Sequence, residues 1–430
     1  MSRLAASSSL RLEQATLIDG TGAAPIPDAV IIANSDGIIE YAGAAATAPP
    51  RDGSTQVIQA PDCTVLPGFI DCHVHLCMPP DRSGVADRIF GDPAASMLRS
   101  TRWLRTTLDA GITTVRDLGG LPAGFRTVVE EGYVEGPRLQ VAVRVLGHTG
   151  GHFDFKMLSG YDLAKGLVEI VDTVDEARLA ARVVIREGAD VIKVASSGGM
   201  GSPSDSPHDE GLYEHEMAAI VEEARRHGDI PVASHAQGLA GIRAAIKAQV
   251  TSIEHGYFID DECCDLLGER GGFLVPTLST MYGGLDKSRL EPWHYEKKLR
   301  WVEESKENIA AAIQRGVQIA LGTDAPLAPH GTNLEELAHL VELGMRPIDA
   351  ITAGTLNAAR LLRIDHELGT LERGKLADLV VCSGDPLADI TVLSKPSNIM
   401  LVAQQGVIRR NSLPDLPNGP TGRFDTEGGA

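Results

Sequence analysis

Six residues carry most of the chemistry legible in this chain, and each falls at or near the end of a short apolar segment. Asp71-Cys72-His73-Val74-His75 holds two histidines two positions apart, a spacing that on a strand turns both imidazoles to one side. Neutral imidazoles converging on one point are ligands for a divalent ion such as zinc. Lys193 in Ile192-Lys193, His235 in Ser234-His235-Ala236, His255 in Glu254-His255-Gly256 and Asp324 in Gly322-Thr323-Asp324 close further segments of the same texture. One such residue alone is more often ordinary core or surface. All six at the same end of successive strands read as a metal centre. The other histidines, His208, His215, His227, His294, His330, His339 and His366, lie in helical or loop segments and read as ordinary residues.

Six groups from so long a stretch need a regular frame to meet. Between residues 64 and 367, short apolar segments alternate with longer ones of helical periodicity, the pattern of an α/β fold. Eight segments read as strands: VLPGFIDCHVHL, ITTVRD, LQVAVRVLG, DVIKVASS, IPVASHA, TSIEHG, FLVPTL and VQIALGTDA. Eight is the number of the (β/α)8 TIM barrel, whose strands converge with their carboxyl ends on one face, where active sites are built. TVDEARLAARVVIREG, HEMAAIVEEARRHG and SKENIAAAIQRG read as helices, each closed by a glycine suited to a left-handed cap. Short apolar-polar alternation before Val65 and after Leu368 predicts antiparallel strands from both chain ends. The expected architecture is a catalytic barrel over 64–367 and a small peripheral β-sandwich domain built from 1–63 and 368–430.

The 430 residues, 43% hydrophobic and 23% charged, suffice for two compact units. With 39 Lys and Arg against 58 Asp and Glu, the formal charge is −19, which repels phosphate backbones and anionic lipid, so neither nucleic acid nor membrane is an expected partner. No apolar run approaches the ~20 residues of a membrane span. Six cysteines without CxxC spacing, Cys63, Cys72, Cys77, Cys263, Cys264 and Cys382, argue against a disulfide framework and for reduced thiols. The opening MSRLAASSSLRLEQ lacks the apolar core of a signal peptide, and the expected compartment is the cytoplasm. No GxSxG occurs, and His215-Glu216-Met217-Ala218-Ala219 lacks the second histidine of HExxH, which sets aside two common hydrolase patterns.

The whole arrangement resembles the metal-dependent amidohydrolase superfamily. Its landmarks are Leu66-Pro67-Gly68-Phe69-Ile70-Asp71-Cys72-His73-Val74-His75, Ile192-Lys193, Ser234-His235-Ala236, Glu254-His255-Gly256, Gly322-Thr323-Asp324 and Gly374-Lys375-Leu376-Ala377-Asp378-Leu379. The resemblance implies two Zn2+ or other divalent ions, one held by His73, His75 and Asp324, the other by His235 and His255. Lys193, carboxylated to a carbamate, would bridge them; a free ammonium cannot ligate a cation, but an amine driven neutral beside two cations can capture carbon dioxide. It implies further that a water shared by the ions is the nucleophile, and that Asp324 takes its proton and passes it to the leaving nitrogen. Asp324 and Lys193 are thus the expected catalytic residues. Members commonly form dimers to octamers, so a homo-oligomer is expected, in a number the sequence does not set.

Gly147-His148-Thr149-Gly150-Gly151-His152, Val194-Ala195-Ser196-Ser197-Gly198-Gly199 and Tyr213 are similar to the imidazolonepropionase-like, prolidase-type branch, which includes bacterial ochratoxin-degrading amidohydrolases. That likeness implies substrate-binding roles for His148, His152 and Tyr213 toward the carboxylate of a C-terminal amino acid. The expected reaction is hydrolysis of the amide to that residue, in an ochratoxin A-type N-acyl-phenylalanine or a Xaa-amino-acid dipeptide. Phe90, Met157, Met281 and Leu327 suit an aromatic pocket and equally suit a core. The polar run Ser202 to Gly211 reads as a loop at the site mouth, either a lid or simply solvated. Lactone or ester hydrolysis and deamination are rival reactions, and a non-catalytic barrel serving as an assembly module is a remote one. Lys193 speaks against a mononuclear deaminase, and the full ligand set against a non-catalytic relative.

Overall fold

A computed structural model describes residues 9–51, 53, 55–78, 93–154, 167–282 and 290–413. The chain starts with β1 (Leu10–Leu17), β2 (Ile26–Ala33), β3 (Ile39–Ala44), β4 (Gln56–Gln59) and β5 (Cys63–Pro67), and ends with β16 (Leu379–Ser383), β17 (Ile399–Gln404) and β18 (Val407–Asn411). These eight strands form one hydrogen-bonded sheet in the order β18-β17-β16-β5-β1-β2-β3, with β4 also on β1. The alternation in their sequences buries one face, which gives a core that includes Leu12, Ile31, Ile58, Leu379, Val381 and Leu401. The sequence texture predicts an antiparallel unit, but the sheet is not purely antiparallel. Strand β1 runs parallel to β4 along Leu10–Glu13 and to β5 at Thr16 and Leu17, so the sheet forks there.

The parallel strands lie between. Strands β6 (Phe69–Val74), β7 (Ile112–Asp117) and β8 (Arg138–Val141) pair in that order. A second group, β9 (Val145–Gly147), β10 (Val168–Ile170), β11 (Ile192–Ala195), β12 (Val232–Ala236), β13 (Ser252–His255), β14 (Phe273–Val275) and β15 (Gln318–Ile319), pairs in the order β10-β9-β11-β12-β13-β14-β15. Each of the eight segments read as strands contains one. Two of them are split. VLPGFIDCHVHL becomes β5, in the terminal sheet, and β6; LQVAVRVLG becomes β8 and β9, broken at Val143, whose φ is +64. Strand β10 has no counterpart in the sequence reading.

Hydrogen bonds join the two groups at both edges. Ala142 N donates to Asp117 O at 2.8 Å, beside the break between β8 and β9; Cys72 N donates to Leu321 O at 2.8 Å and Asp324 N to His73 O at 2.7 Å. Strand neighbours therefore follow one another in a circuit. The helices that alternate with the strands carry the expected signals. Val174–Arg186 begins at Thr173, whose side chain accepts from Glu176 N, has Asp175 and Glu176 in its first turn and Arg186 in its last, all favourable to the helix dipole. Its inner face, Ala177, Ala180, Ala181 and Val184, is buried. All six cysteines are free thiols, and among the described residues no helix is long and apolar enough to cross a membrane.

Candidate metal centre

The six residues singled out by type lie buried at one end of the parallel strands. His73 is in β6 with His75 just beyond it, Lys193 in β11, His235 in β12, His255 at the end of β13, and Asp324 follows β15. His255 and Asp324 have φ of +74 and +55, a left-handed backbone that non-glycine residues seldom adopt and that clusters at functional sites. Asp324 Oδ1 lies 3.5 Å from His73 Nε2 and 3.3 Å from His75 Nε2. Ring centroids are 5.4 Å apart for His73 and His75, 5.0 Å for His73 and His255, and 4.6 Å for His235 and His255. Ligand atoms of His73, His255 and Asp324 all lie within 4.8 Å of one another. This tightest triad takes one histidine from each of the two ligand groups expected, with Asp324 between them.

Each ring is held by one nitrogen, which leaves the other for an ion. His73 Nδ1 pairs with Glu254 Oε2 at 2.9 Å, His75 Nδ1 with Gly119 O at 3.1 Å, His255 Nδ1 with Thr277 Oγ1 at 2.7 Å, and His235 Nε2 with Gly198 O at 3.2 Å. Glu254 is anchored by Arg116 Nη2 at 2.7 Å and by the Ser252 hydroxyl at 2.5 Å. Asp71 accepts from Thr323 Oγ1 and Asn333 Nδ2, both at 2.7 Å, and so ties β6 to the segment carrying Asp324. Asp117 accepts from the backbone of Leu76, Gly119 and Leu121, which fixes the turn after His75. The roles of Glu254, Arg116, Asp71 and Asp117 were not read from the sequence, because Glu254 with Arg116, and Asp71 with Thr323 and Asn333, pair across 138 to 262 positions, and the Asp117 contacts are to backbone N–H groups. His330, read as ordinary, stacks on Trp103 at 5.6 Å, and burial together with the nearby His75 lowers its pKa to about 4.

Burial sets the charge states. It lowers His73 and His235 well below the ordinary imidazole value, and His255 to about 3, so these rings are neutral and their lone pairs available. For His75 burial is outweighed by Asp324 and Asp117, and its pKa is raised. Burial likewise disfavours the Asp324 carboxylate, but the surrounding His73, His75 and His255 hold its pKa far below the usual range. Lys193 is brought down to about 8, chiefly by burial, and its Nζ has no hydrogen-bond partner. A buried amine left unsatisfied is costly. Two buried carboxylates, Glu254 and Asp324, act on it against one buried cation, Arg116. An orphaned amine within an acidic, imidazole-rich cluster fits bound divalent ions.

Of the expected substrate residues, His152 reaches the cluster. Its ring stacks on His235 at 4.4 Å and 18°, and its Nδ1 pairs with Asp205 Oδ2 at 2.6 Å. Asp205 belongs to the polar Ser202–Gly211 loop, which Lys297 also clamps through Ser202 O at 2.6 Å and Asp205 O. His148 bonds Thr149 O through Nδ1 and leaves Nε2 buried without a partner. Tyr213 is 61% exposed and stacks on His215; no contact among the described residues joins it to the cluster. Met281 is buried with Met200, Tyr257, Phe258 and Val302, whereas Leu327 is 42% exposed. Phe90 and Met157 lie outside the described residues.

The model of the "Amidohydrolase family" matches residues 64–409. Ochratoxinase of Aspergillus niger is 35% identical over 420 residues, spanning 91% of this chain and 84% of that protein. Imidazolonepropionase of Streptomyces griseus is 25% identical over 93% of this chain and 94% of its own length. Among solved structures, a Xaa-Pro dipeptidase with methionine bound in its active site superposes with a TM-score of 0.85 at 32% identity, covering 93% of this chain and 99% of that one. The crystal structure of A. niger ochratoxinase gives 0.85 at 31%, covering 94% and 96%. With most of its length matched, this chain belongs to the amidohydrolase family and is a hydrolase.

Proposed function

We propose that the protein is a binuclear zinc amidohydrolase that releases a C-terminal, apolar or aromatic L-amino acid from an amide, of the N-acyl-phenylalanine or Xaa-amino-acid dipeptide type. In this reading the circuit of parallel strands is a (β/α)8 barrel over about 64–367, flanked by the terminal β domain, and the chain works as a homo-oligomer. The observation that carries it is the unpartnered, buried Lys193 amine among His73, His75, His235, His255 and Asp324. Similarity to an ochratoxinase and a Xaa-Pro dipeptidase supports the substrate class.

His73, His75 and Asp324 would hold one ion and His235 and His255 the other, with Lys193 as a carboxylated bridge. When bound, the ions supply Lewis-acid polarisation of the scissile carbonyl and a water acidified to a pKa of about 7. The chain's own residues do the rest. Asp324 turns Oδ1 toward His73 and His75, which leaves Oδ2 to accept the proton of the attacking water and return it to the departing nitrogen. Glu254, pinned by Arg116, holds a proton on His73 Nδ1 so that Nε2 faces the centre. His152, oriented by Asp205, presents its other nitrogen to the substrate, with His148 beside it; Tyr213 stands at the rim.

The test combines metal content per chain with release of phenylalanine from ochratoxin A and from simpler N-acyl-phenylalanines, before and after chelation. Two zincs and chelator-sensitive release are expected. In Lys193→Ala and Asp324→Asn, turnover falls by at least about 10³-fold, and near-normal turnover in either removes that residue from the scheme. Two ions without amide cleavage would move the substrate search to lactones, esters or amines; absence of metal would overturn the reading.

A further inference from the structure

The helix Pro292–Gln314 buries Lys298, Val302, Ser305, Ile309 and Ala312, a stripe spaced by fours and threes that faces inward. Its first member is a lysine. Lys298 is 2% exposed and donates from Nζ to Thr280 O at 2.6 Å; among the described residues no carboxylate forms an ion pair with it. The adjacent Lys297 shows the contrast, since it is committed to the Ser202–Gly211 loop and lies 3.9 Å from Asp205 Oδ1. Arg116, also buried, has Glu254. A buried cation without a counter-ion is costly to desolvate, and an anion arriving from outside would supply the missing charge.

Three connections place this ammonium beside the reaction centre. The Thr280 hydroxyl donates to Thr323 O at 3.0 Å, next to Asp324. Burial lowers the pKa of Lys298 to about 8 and, one helical turn earlier, that of the partly buried His294 to about 3, and the charge of Asp324 opposes both shifts. One turn later Val302 enters the apolar cluster of Met200, Tyr257, Phe258 and Met281. A cation, a ring able to donate a hydrogen bond and an apolar wall thus line one helix face beside the ligand cluster. Asp324 turns Oδ1 to His73 and His75 and forms no ion pair with Lys298 among the described residues.

We propose that Lys298 is the specificity residue that receives the substrate's carboxylate, with His294 as second donor and the Met200–Val302 cluster as the wall for an apolar side chain. This rests on reading the site as one for a C-terminal amino acid. It also answers the problem posed by a net charge of −19, which disfavours anionic substrates unless a local cation draws them in.

The experiment reads binding and so does not depend on turnover. Affinities of metal-loaded enzyme for L-phenylalanine, L-leucine and L-proline are compared by calorimetry with those for the corresponding amino alcohols, which lack the carboxylate. The wild type should prefer at least one acid over its alcohol, and Lys298→Met should reduce that preference about 10- to 100-fold with the alcohol's affinity unchanged. Lys298→Gln, which keeps a donor for Thr280 O and loses the charge, should lose the preference equally; thermal unfolding checks that both variants fold. No preference in the wild type, a preference surviving in the variants, or equal loss for acid and alcohol would overturn the assignment. Failure to cleave amides with the preference intact would count against the proposed reaction and leave the subsite standing.

Discussion

Glu254 shows how one side chain sets the properties of a ligand it does not replace. It is wholly buried, and its two oxygens serve Arg116 and Ser252 on one side and His73 Nδ1 on the other. Glu254→Gln keeps the shape, weakens the hold on the His73 proton and leaves the Arg116 guanidinium without its counter-charge. Zinc affinity, measured by competition with a chelating dye, should fall about 10- to 100-fold, while Glu254→Asp should recover part of it. An unchanged affinity would mean that the bond does not orient His73. The six ligand candidates were legible in the sequence because a chemically apt type coincides with a place on, or just after, an apolar strand segment; Lys193 stands second of four residues in β11 rather than at its end. Glu254 and Arg116 were not: they are 138 positions apart, and each alone reads as a polar residue in a strand. Lys298 had a local signal, its place on the apolar stripe of a helix, but a lysine in a charged run such as Glu296-Lys297-Lys298 is ordinarily taken as solvated.

Between residues and fold, helices locate the strands, and buried charge joins some of them. Glu223 lies on the inner side of Glu214–Arg226 and meets Arg182 at 2.7 Å, Arg226 at 3.3 Å and Arg178 at 3.5 Å, the first and last of these contacts being to Val174–Arg186. Its hydrogen bond with Arg182, outweighing burial, lowers its pKa to about 2. A carboxylate with a depressed folded pKa adds stability that is present above its unfolded value of roughly 4.3 and lost as the pH falls through about 2. Glu223→Gln should therefore melt below the wild type at pH 7, and the gap should close between pH 4.3 and 2. A gap independent of pH would assign the loss to packing instead. At this scale the sequence placed all eight strand segments and the three helices it named, the last only in its second half, since apolar periodicity and glycine caps are local. It missed the two breaks for physical reasons. Val143 adopts a φ that β-branched residues seldom take, and nothing local announces it. Gly68 splits its segment because its N–H donates to Asp378 O and a Cβ there would meet the Thr113 hydroxyl at 2.2 Å, both contacts that only the folded chain supplies.

For the molecule as a whole, the six candidate ligands decide, in the proposed reading, how metal and stability are linked. Its members come from β6, β11, β12 and β13 and from the segment after β15, so they meet only when the strand circuit is assembled, and the unfolded chain offers no comparable site. Ions that bind the folded state alone stabilise it by about 2.7 kcal/mol per site at a hundredfold excess over Kd. The terminal sheet shares in that stability. Arg138 on β8 pairs with Asp378, Gln404 donates from Nε2 to Thr113 O at 3.0 Å and Gly136 O at 3.2 Å, and Arg410 donates to Asp109 O at 2.6 Å. These contacts join the terminal strands to the parallel ones, so loosening of the strands that carry the candidate ligands should carry the sheet with it. Chelation should lower the melting temperature in a single transition that zinc reverses. In Lys193→Ala the chelator-induced shift should shrink, because one bridge to both ions is gone, even though removal of a buried unpaired amine need not lower the melting point of the apo-protein. Two separate transitions would show that the terminal sheet folds alone, and a melting temperature indifferent to chelator would show that the six residues do not act as one site.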